Sequence, residues 1–346
     1  MDNERLYEYV RSSFLAPLLD DEGISDITYN GKDLYYLHRE YGRQKSPIEC
    51  SQVMAYDFLR HIANLCEVQW SVRDPYLDVS VGPLRINGVF TSIGRINYQK
   101  SPTFAMRIAP QRLITYEEDE NMPPLLLELL KIFLHFEHSL VIAGATSAGK
   151  TELQKYLLSL LPNYTRVIVI DNLQELECVR SETIDLTLWQ IGSSEEYNYA
   201  SLIKNALRAN PDWLVVAEAR GGEMLDALNC AMSGHPLIMT LHSLDINAVS
   251  SRMTRMVLSG DKNLDYDIVY QDIILHFPII IFMKKITKSS GEVARIVSEV
   301  GMYVHNKFHL LYCLKEQPIY YSFPQTLKNQ IGVIDENFLH AWEQQC

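Results

Sequence analysis

The 346-residue sequence predicts an α/β fold: a mainly parallel sheet with covering helices, preceded by a smaller α+β domain. Three observations predict it. From residue 139 onward, short apolar runs alternate with helical segments, the pattern of strands buried on both faces. The first third instead carries hairpin signals and one helical stretch. Where the second pattern begins, a glycine-bearing octapeptide stands between a predicted strand and a predicted helix.

Residues 25–30 alternate and end at Asn30-Gly31, a hairpin turn, before the aromatic run 34–38. Residues 52–66 place Met54, Phe58, Leu59, Ile62 and Leu65 at helical spacing. Residues 77–81, 84–90 and 103–108 read as three more strands, completing an N-terminal α+β domain over 1–109. The polar stretch 110–122, acidic at 117–120 and followed by Pro123-Pro124, reads as a linker. Residues 125–136 form an amphipathic helix that opens the second domain, 123–346. Its strands are 139–143, 166–170, 213–217 and 237–241, with 273–283 and 295–300 near the end and a turn at 289–291.

Hydrophobic residues make up 47% of the chain and charged residues 21%, the balance of a folded protein. The formal net charge of −12 repels phosphate backbones, and no basic stripe offsets it, so stable nucleic-acid binding is not expected. Six scattered cysteines with no CxxC pair suit neither a zinc ribbon nor a disulfide framework; reduced, mostly buried thiols are expected. The charged opening segment lacks the apolar core of a signal peptide. No apolar run approaches the ~20 residues that span a bilayer. The expectation is a cytoplasmic protein, or one held at the cytoplasmic face of a membrane by partners, with no transmembrane segment.

The octapeptide Gly144-Ala145-Thr146-Ser147-Ala148-Gly149-Lys150-Thr151 matches G-x-x-x-x-G-K-[ST] in full. The two glycines let the backbone curl so that its N–H groups face a phosphate, and the following helix adds its positive end. Lys150 is placed to bridge the β- and γ-phosphates of ATP, and the Thr151 hydroxyl to ligate Mg²⁺.

Such a loop needs a carboxylate at the end of a neighbouring strand to hold the metal shell and polarise a water. Two strands offer one. The run 213–217 leads into Glu218, and the run 166–170 leads into Asp171 with Glu175 four residues on. Two histidines follow, His235 before the apolar run 237–241 and His242 after it. Without a third ligand at a sensible spacing they do not read as a zinc site; a γ-phosphate contact or a sensor of hydrolysis fits better.

The order of motifs resembles the secretion ATPase superfamily of type II and type IV secretion, type IV pili and conjugation. The likeness rests on the phosphate loop, the acidic stretch at 171–175, residues 207–212 leading to Glu218-Ala219-Arg220-Gly221, and then Gly234-His235-Pro236 and Thr240-Leu241-His242. It extends to the N-terminal 25–31 and 74–78. The compact N-terminal domain, short acidic stretch and missing tetracysteine motif look most like the type IV secretion and conjugation branch.

The resemblance implies a RecA-like P-loop NTPase domain after the N-terminal domain and a hexameric ring of identical subunits. It also implies Mg-ATP hydrolysis that energises macromolecular transport beside inner-membrane secretion proteins. A pilus or type II assembly motor, and a nucleotide-binding regulator with little turnover, are the alternatives. It further implies that Glu218 is the Walker B glutamate and a magnesium ligand beside Thr151. Asp171 and Glu175 lie in the acidic box and His235 and His242 in the histidine box. Arg85 and Arg107 of the N-terminal domain reach the nucleotide, and Arg208 and Arg220 lie near the site or a subunit interface. Two positions depart from the pattern: Asp171-Asn172 stands where Glu-Asp is usual, and Ala217 precedes Glu218 where glycine is usual. The first leaves open whether Asp171 or Glu218 is the base.

Overall fold

A computed structural model describes residues 3–109, 113–117, 121–171, 175–179, 183–191, 198–287 and 293–346. The chain divides into two compact units. One is built from residues up to 111 together with Glu175, Thr287 and Val293, and the other from the remaining residues from 112 onward.

The first unit opens with α1 (Asn3–Arg11) and α2 (Ala16–Leu19), then β1 (Ile24–Tyr29), β2 (Leu34–His38) and β3 (Gly42–Lys45). Helix α3 (Gln52–Leu65) follows, then β4 (Tyr76–Val81), β5 (Leu84–Val89), the ribbon β6 (Arg95–Ile96) with β7 (Gln99–Lys100), and β8 (Thr103–Ile108). Six strands form an antiparallel sheet in the order β3-β2-β1-β8-β5-β4. The Ser51 hydroxyl caps α3 by accepting from the Met54 amide at 3.1 Å. The helix buries Ala55, Phe58, Leu59, Ile62 and Ala63, so the 3.6-residue stripe in the sequence is the face packed on the sheet. Met54, expected on that stripe, lies exposed in the first turn.

The second unit begins with α4 (Pro124–His135) and β9 (Leu140–Gly144), then α5 (Lys150–Ser159), β10 (Arg166–Asp171), a short 3₁₀ turn (Glu175–Val179) and β11 (Asp185–Gln190). Next come α6 (Tyr199–Ala206), β12 (Trp213–Ala219), α7 (Met224–Met232), β13 (Leu237–His242), α8 (Val249–Gly260) and α9 (Tyr266–His276). The chain finishes with β14 (Ile279–Thr287), β15 (Val293–Val304), β16 (Lys307–Leu314), β17 (Pro318–Tyr320), α10 (Gln325–Ile334) and α11 (Glu336–Glu343). All nine strands share one sheet, ordered β11-β10-β12-β13-β9-β14-β15-β16-β17. The six from β11 to β14 run parallel, and β15 to β17 extend the sheet through antiparallel pairs.

Two expectations change. The apolar run 273–283 is not one strand. Its first four residues close α9, and Phe277-Pro278 separates them from β14, because a residue before proline is driven out of helical backbone. Of the stretch read as a linker, Leu113, Ile114, Tyr116 and Met122 pack against the second unit's core, since apolar side chains among the acidic ones still seek burial. The turn expected at 289–291 and residue Asn172 lie outside the described residues. Cys50, Cys66, Cys230 and Cys313 are buried free thiols, and Cys346 is an exposed one. Among the described residues no helix is long and apolar enough to cross a membrane.

Candidate active site

Strand β9 fixes the loop that follows it. Leu140, Val141, Ile142 and Ala143 are all fully buried, and each large aliphatic among them contributes roughly 1.5–3 kcal/mol by leaving water. Gly144 ends the strand with φ +152°, and a Cβ there would collide with the Met283 carbonyl oxygen of β14. Gly149 starts α5 from left-handed backbone at φ +94°. Between them Ser147 takes φ +60°, a left-handed conformation that costs a residue with a Cβ on the order of 1 kcal/mol.

Gly144→Ala is therefore expected to destabilise the second unit by about 2 kcal/mol or more, because the atom it meets is backbone of a buried strand and not a side chain that can turn away. Urea unfolding followed by circular dichroism measures it; an unchanged midpoint would mean that β14 yields.

The Lys150 side chain is buried, and its ammonium donates to the Gly144 and Ala145 carbonyls at 3.1 and 2.9 Å. It also stands 3.3 Å from His242 Nδ1. Sheet order explains this neighbour. Strand β13 lies between β9 and β12, with His242 level with Gly144 on one side and Leu241 level with Ala219 on the other. A side chain at the carboxyl end of β13 is thus placed between the phosphate loop and the end of β12.

At that end the β12–β13 register shifts between Val216 and Ala219, an irregularity of the kind that re-aims a side chain. The Thr240 hydroxyl donates to the Ala217 carbonyl inside the shift. Buried Gln154 on α5 donates to the Val216 and Ile238 carbonyls at 3.1 and 3.2 Å, tying the helix to both strands. Glu218 then meets His242 Nε2 at 2.8 Å with one oxygen and Arg220 at 2.8 Å with the other. Lys150, His242, Glu218 and Arg220 form one connected line along the carboxyl edge of the sheet, where open α/β sheets bind ligands.

The electrostatics of the line are consistent with its geometry. Burial works to raise the Glu218 carboxyl, but Arg220, His242 and Lys150 together outweigh it and hold it below the usual range. Glu218 is therefore ionised at neutral pH. Burial first, and then the Lys150 charge, pull His242 below its ordinary value, so the imidazole is neutral. With the ammonium donating toward Nδ1, the ring proton belongs on Nε2 and is donated to Glu218. Arg220 is raised by its hydrogen bond to Glu218.

The other residues singled out in the sequence are placed differently. Asp171 ends β10, the strand beyond β12; it is buried and accepts from the Leu176 amide at 3.4 Å. Its charge adds to burial in raising the Tyr199 phenol. Glu175 is buried and belongs to the first unit, its carboxylate 3.5 Å from Arg107. Arg107 on β8 sits directly across from Arg85 on β5, and Arg85 holds Asp78 in a two-pronged pair at 3.0 and 2.8 Å.

Arg208 and His235 do not join the line. Arg208 is exposed in the connection that enters β12 at its amino end, and this connection is tied to Arg166, the first residue of β10. His235 precedes β13, its Nδ1 3.1 Å from the Ser233 hydroxyl. Seven residue steps, roughly 23 Å if fully extended, separate it from His242. Both lie at the sheet edge opposite the phosphate loop. Thr151 stands in the first turn of α5 beside Lys150.

Sequence reading missed three arginines. Arg252 and Arg255, one turn apart on α8, line a cavity of about 440 Å³ with Ala145, Thr146 and His242. Helical spacing downstream of His242 could have flagged them. The third is Arg295 on β15, whose Nε donates to the Ser147 carbonyl at 3.2 Å. No spacing in the sequence points to it.

Residues 84–295 match the family described as type II/IV secretion system protein, more than half of the chain. The chain belongs to that family. Among its relatives, an uncharacterised protein of Bacillus anthracis is 26% identical over 271 residues, 76% of this chain and 60% of the relative. The type IV secretion system protein VirB11 of Brucella suis is 30% identical over 163 residues, 43% of this chain and 45% of the relative. The chain thus spans about half the length of these curated relatives. A probable conjugal transfer protein, TrbB of Sinorhizobium fredii, is 22% identical over 265 residues, 74% of this chain and 78% of the relative.

Solved structures show the same fold. The DotB ATPase of Yersinia pseudotuberculosis superposes with a TM-score of 0.62 at 16% identity, over 84% of this chain and 78% of that one. The pilus retraction motor PilT with bound ADP superposes at 0.57 and 17% identity, over 96% of this chain and 89% of that one. The second unit of this secretion-family chain is a RecA-like domain, and the first is the smaller N-terminal domain that precedes it.

Proposed function

We propose that this secretion-family chain is a Mg-ATP-dependent ATPase that works as a ring, six subunits favoured, and energises macromolecular transport through a type IV secretion or conjugation apparatus. The observation that carries the reading is the connected line Lys150–His242–Glu218–Arg220 beneath a complete phosphate loop. The secretion and conjugation proteins among its relatives direct it to that pathway.

The loop amides and the α5 N-terminus receive the β- and γ-phosphates. The Lys150 ammonium exchanges the Gly144 and Ala145 carbonyls for phosphate oxygens. The hard oxygen donors available, the Thr151 hydroxyl and the Glu218 carboxylate, fit Mg²⁺, which takes one or two protein ligands and completes its shell with phosphate and water. When bound, the ion neutralises charge on the phosphate oxygens.

Glu218, ionised and aimed by His242 and Arg220, orients the attacking water. Asp171 adds a second carboxylate one strand away. Departure of Lys150 from Nδ1 frees His242 to turn toward the terminal phosphate, so phosphate occupancy is communicated to Glu218 through one imidazole. The work is done on inner-membrane secretion proteins at the cytoplasmic face, through motion of the units.

Steady-state phosphate release with Mg-ATP tests the activity. Turnover of about 0.1 s⁻¹ or faster is expected, below the ordinary enzyme range because such motors are paced by partners; no phosphate release from a chain that binds ATP would leave a nucleotide-binding regulator. Light scattering at several salt concentrations tests the ring, because −12 charges per subunit repel one another. Mass near six subunits with Mg-ATP is the expected result, and a monomer under every condition counts against it.

A further inference from the structure

The back of the phosphate loop rests on one side chain from far along the chain. Arg295 stands near the start of β15, 148 residues beyond Ser147. A Cβ on Gly149 would come within 3.2 Å of Arg295 Cδ and 3.3 Å of its Cβ, so the stem of this arginine lies against the loop. Its Nε donates to the Ser147 carbonyl at 3.2 Å, and the bond is partly buried. Ser147 is also where the loop carries left-handed backbone without a glycine, at φ +60°.

These facts belong together. A peptide in left-handed backbone at a loop apex has no regular ladder to hold it, and a residue with a Cβ prefers to leave that region. A guanidinium Nε–H fixed by a strand and packed on the loop stem opposes that departure, because it bonds the carbonyl of the strained residue itself. The adjoining amides of Ala148 and Gly149 belong to the same curl that must face phosphate.

We propose that Arg295 is a positioning residue for the phosphate loop: it holds Ser147 in left-handed backbone and so preorganises the loop amides for the nucleotide phosphates. The proposal rests on the reading that this loop binds nucleotide. Arg295 makes no claim on the reaction itself; it acts through Ser147.

The test is a double-mutant cycle on the full chain between Arg295→Ala and Ser147→Gly, read by the Kd of a fluorescent ADP analogue and by amide hydrogen exchange across 146–150. Arg295→Ala alone is expected to weaken ADP about tenfold and to speed exchange of the loop amides about tenfold. In the Ser147→Gly background, where left-handed backbone carries no steric cost, the same substitution is expected to change either quantity less than threefold. Arg295→Lys, which keeps the charge and stem but lacks the Nε–H, should behave like Arg295→Ala.

Equal losses in both backgrounds, or unchanged loop exchange in Arg295→Ala, would overturn the proposal, because a merely structural arginine gives additive effects. Should Arg295→Ala fail to fold, Arg295→Lys in the two backgrounds decides by the same criterion. Should the unaltered chain fail to bind ADP, the proposed function falls, and the exchange cycle, which needs no nucleotide, still decides on Arg295.

Discussion

Replacing Lys150 by alanine is expected to raise the Kd for Mg-ADP and Mg-ATP at least a hundredfold and to abolish measurable turnover. The buried Lys150 ammonium reaches the Gly144 and Ala145 carbonyls of the loop and also the His242 ring. Charge-assisted hydrogen bonds to phosphate are about twice as strong as neutral ones, and truncating one partner of a desolvated charge pair costs on the order of 3 kcal/mol. That energy is about two decades of affinity. Folding should suffer far less, because two loop carbonyls left behind can bond water where phosphate would enter. Calorimetric titration with ADP, together with a thermal melt, separates the two effects. A Kd within threefold of the unaltered chain would show that the loop amides alone hold the phosphates, and Lys150 would lose its role.

Lys150 was legible in the sequence because its meaning is local. Eight consecutive residues fix the loop, and the strand before and helix after them are short-range patterns. Glu218 and His242 were legible for a related reason: each ends a run of buried aliphatics, and strand ends of a parallel sheet converge on one edge. The sequence could not say that the two side chains touch. That depends on β13 entering between β9 and β12, a matter of sheet order that arises from long-range pairing. His235 lies at the opposite edge because it precedes β13, whose far end carries His242. Read as a pair in sequence, the two histidines are separated by the length of β13.

The regions that escaped prediction have weak or misleading patterns. Strand β11 is only partly buried throughout and β16 does not alternate, so neither carries a period of two. Leu327 with Ile331, and Phe338 with Trp342, do recur at helical spacing in α10 and α11, and their burial against the core was there to be read. Arg295 is the opposite case. It lies in a strand of ordinary composition, and only the placement of β15 in the sheet brings it to Ser147.

Glu218→Gln is expected to lower kcat by 10²- to 10³-fold while leaving the Kd for ADP within about threefold. The amide preserves length and can still accept from Arg220, but its NH2 replaces the oxygen that faces His242 Nε2, so that contact survives only if the imidazole changes tautomer. What disappears is the negative charge that orients and polarises water. The environment sharpens the test. Arg220, His242 and Lys150 hold the Glu218 carboxyl below the ordinary range, which makes it a weak proton acceptor. Its contribution should therefore lie in placing the water more than in taking the proton. Glu218→Asp separates these roles: it keeps the charge but withdraws the carboxylate by roughly 1 Å, a misplacement that can cost about a hundredfold. A placing role predicts that Glu218→Asp is nearly as slow as Glu218→Gln; a purely electrostatic role predicts that it keeps most of the rate. Asp171→Ala is the comparison on the neighbouring strand. Asp171 is buried one strand farther out with the Leu176 amide on its carboxylate, and the expected loss is at least tenfold but smaller than that of Glu218→Gln. If Glu218→Gln hydrolyses ATP at the unaltered rate while Asp171→Ala does not, the base belongs to β10, and the line through His242 only reports which phosphate is bound.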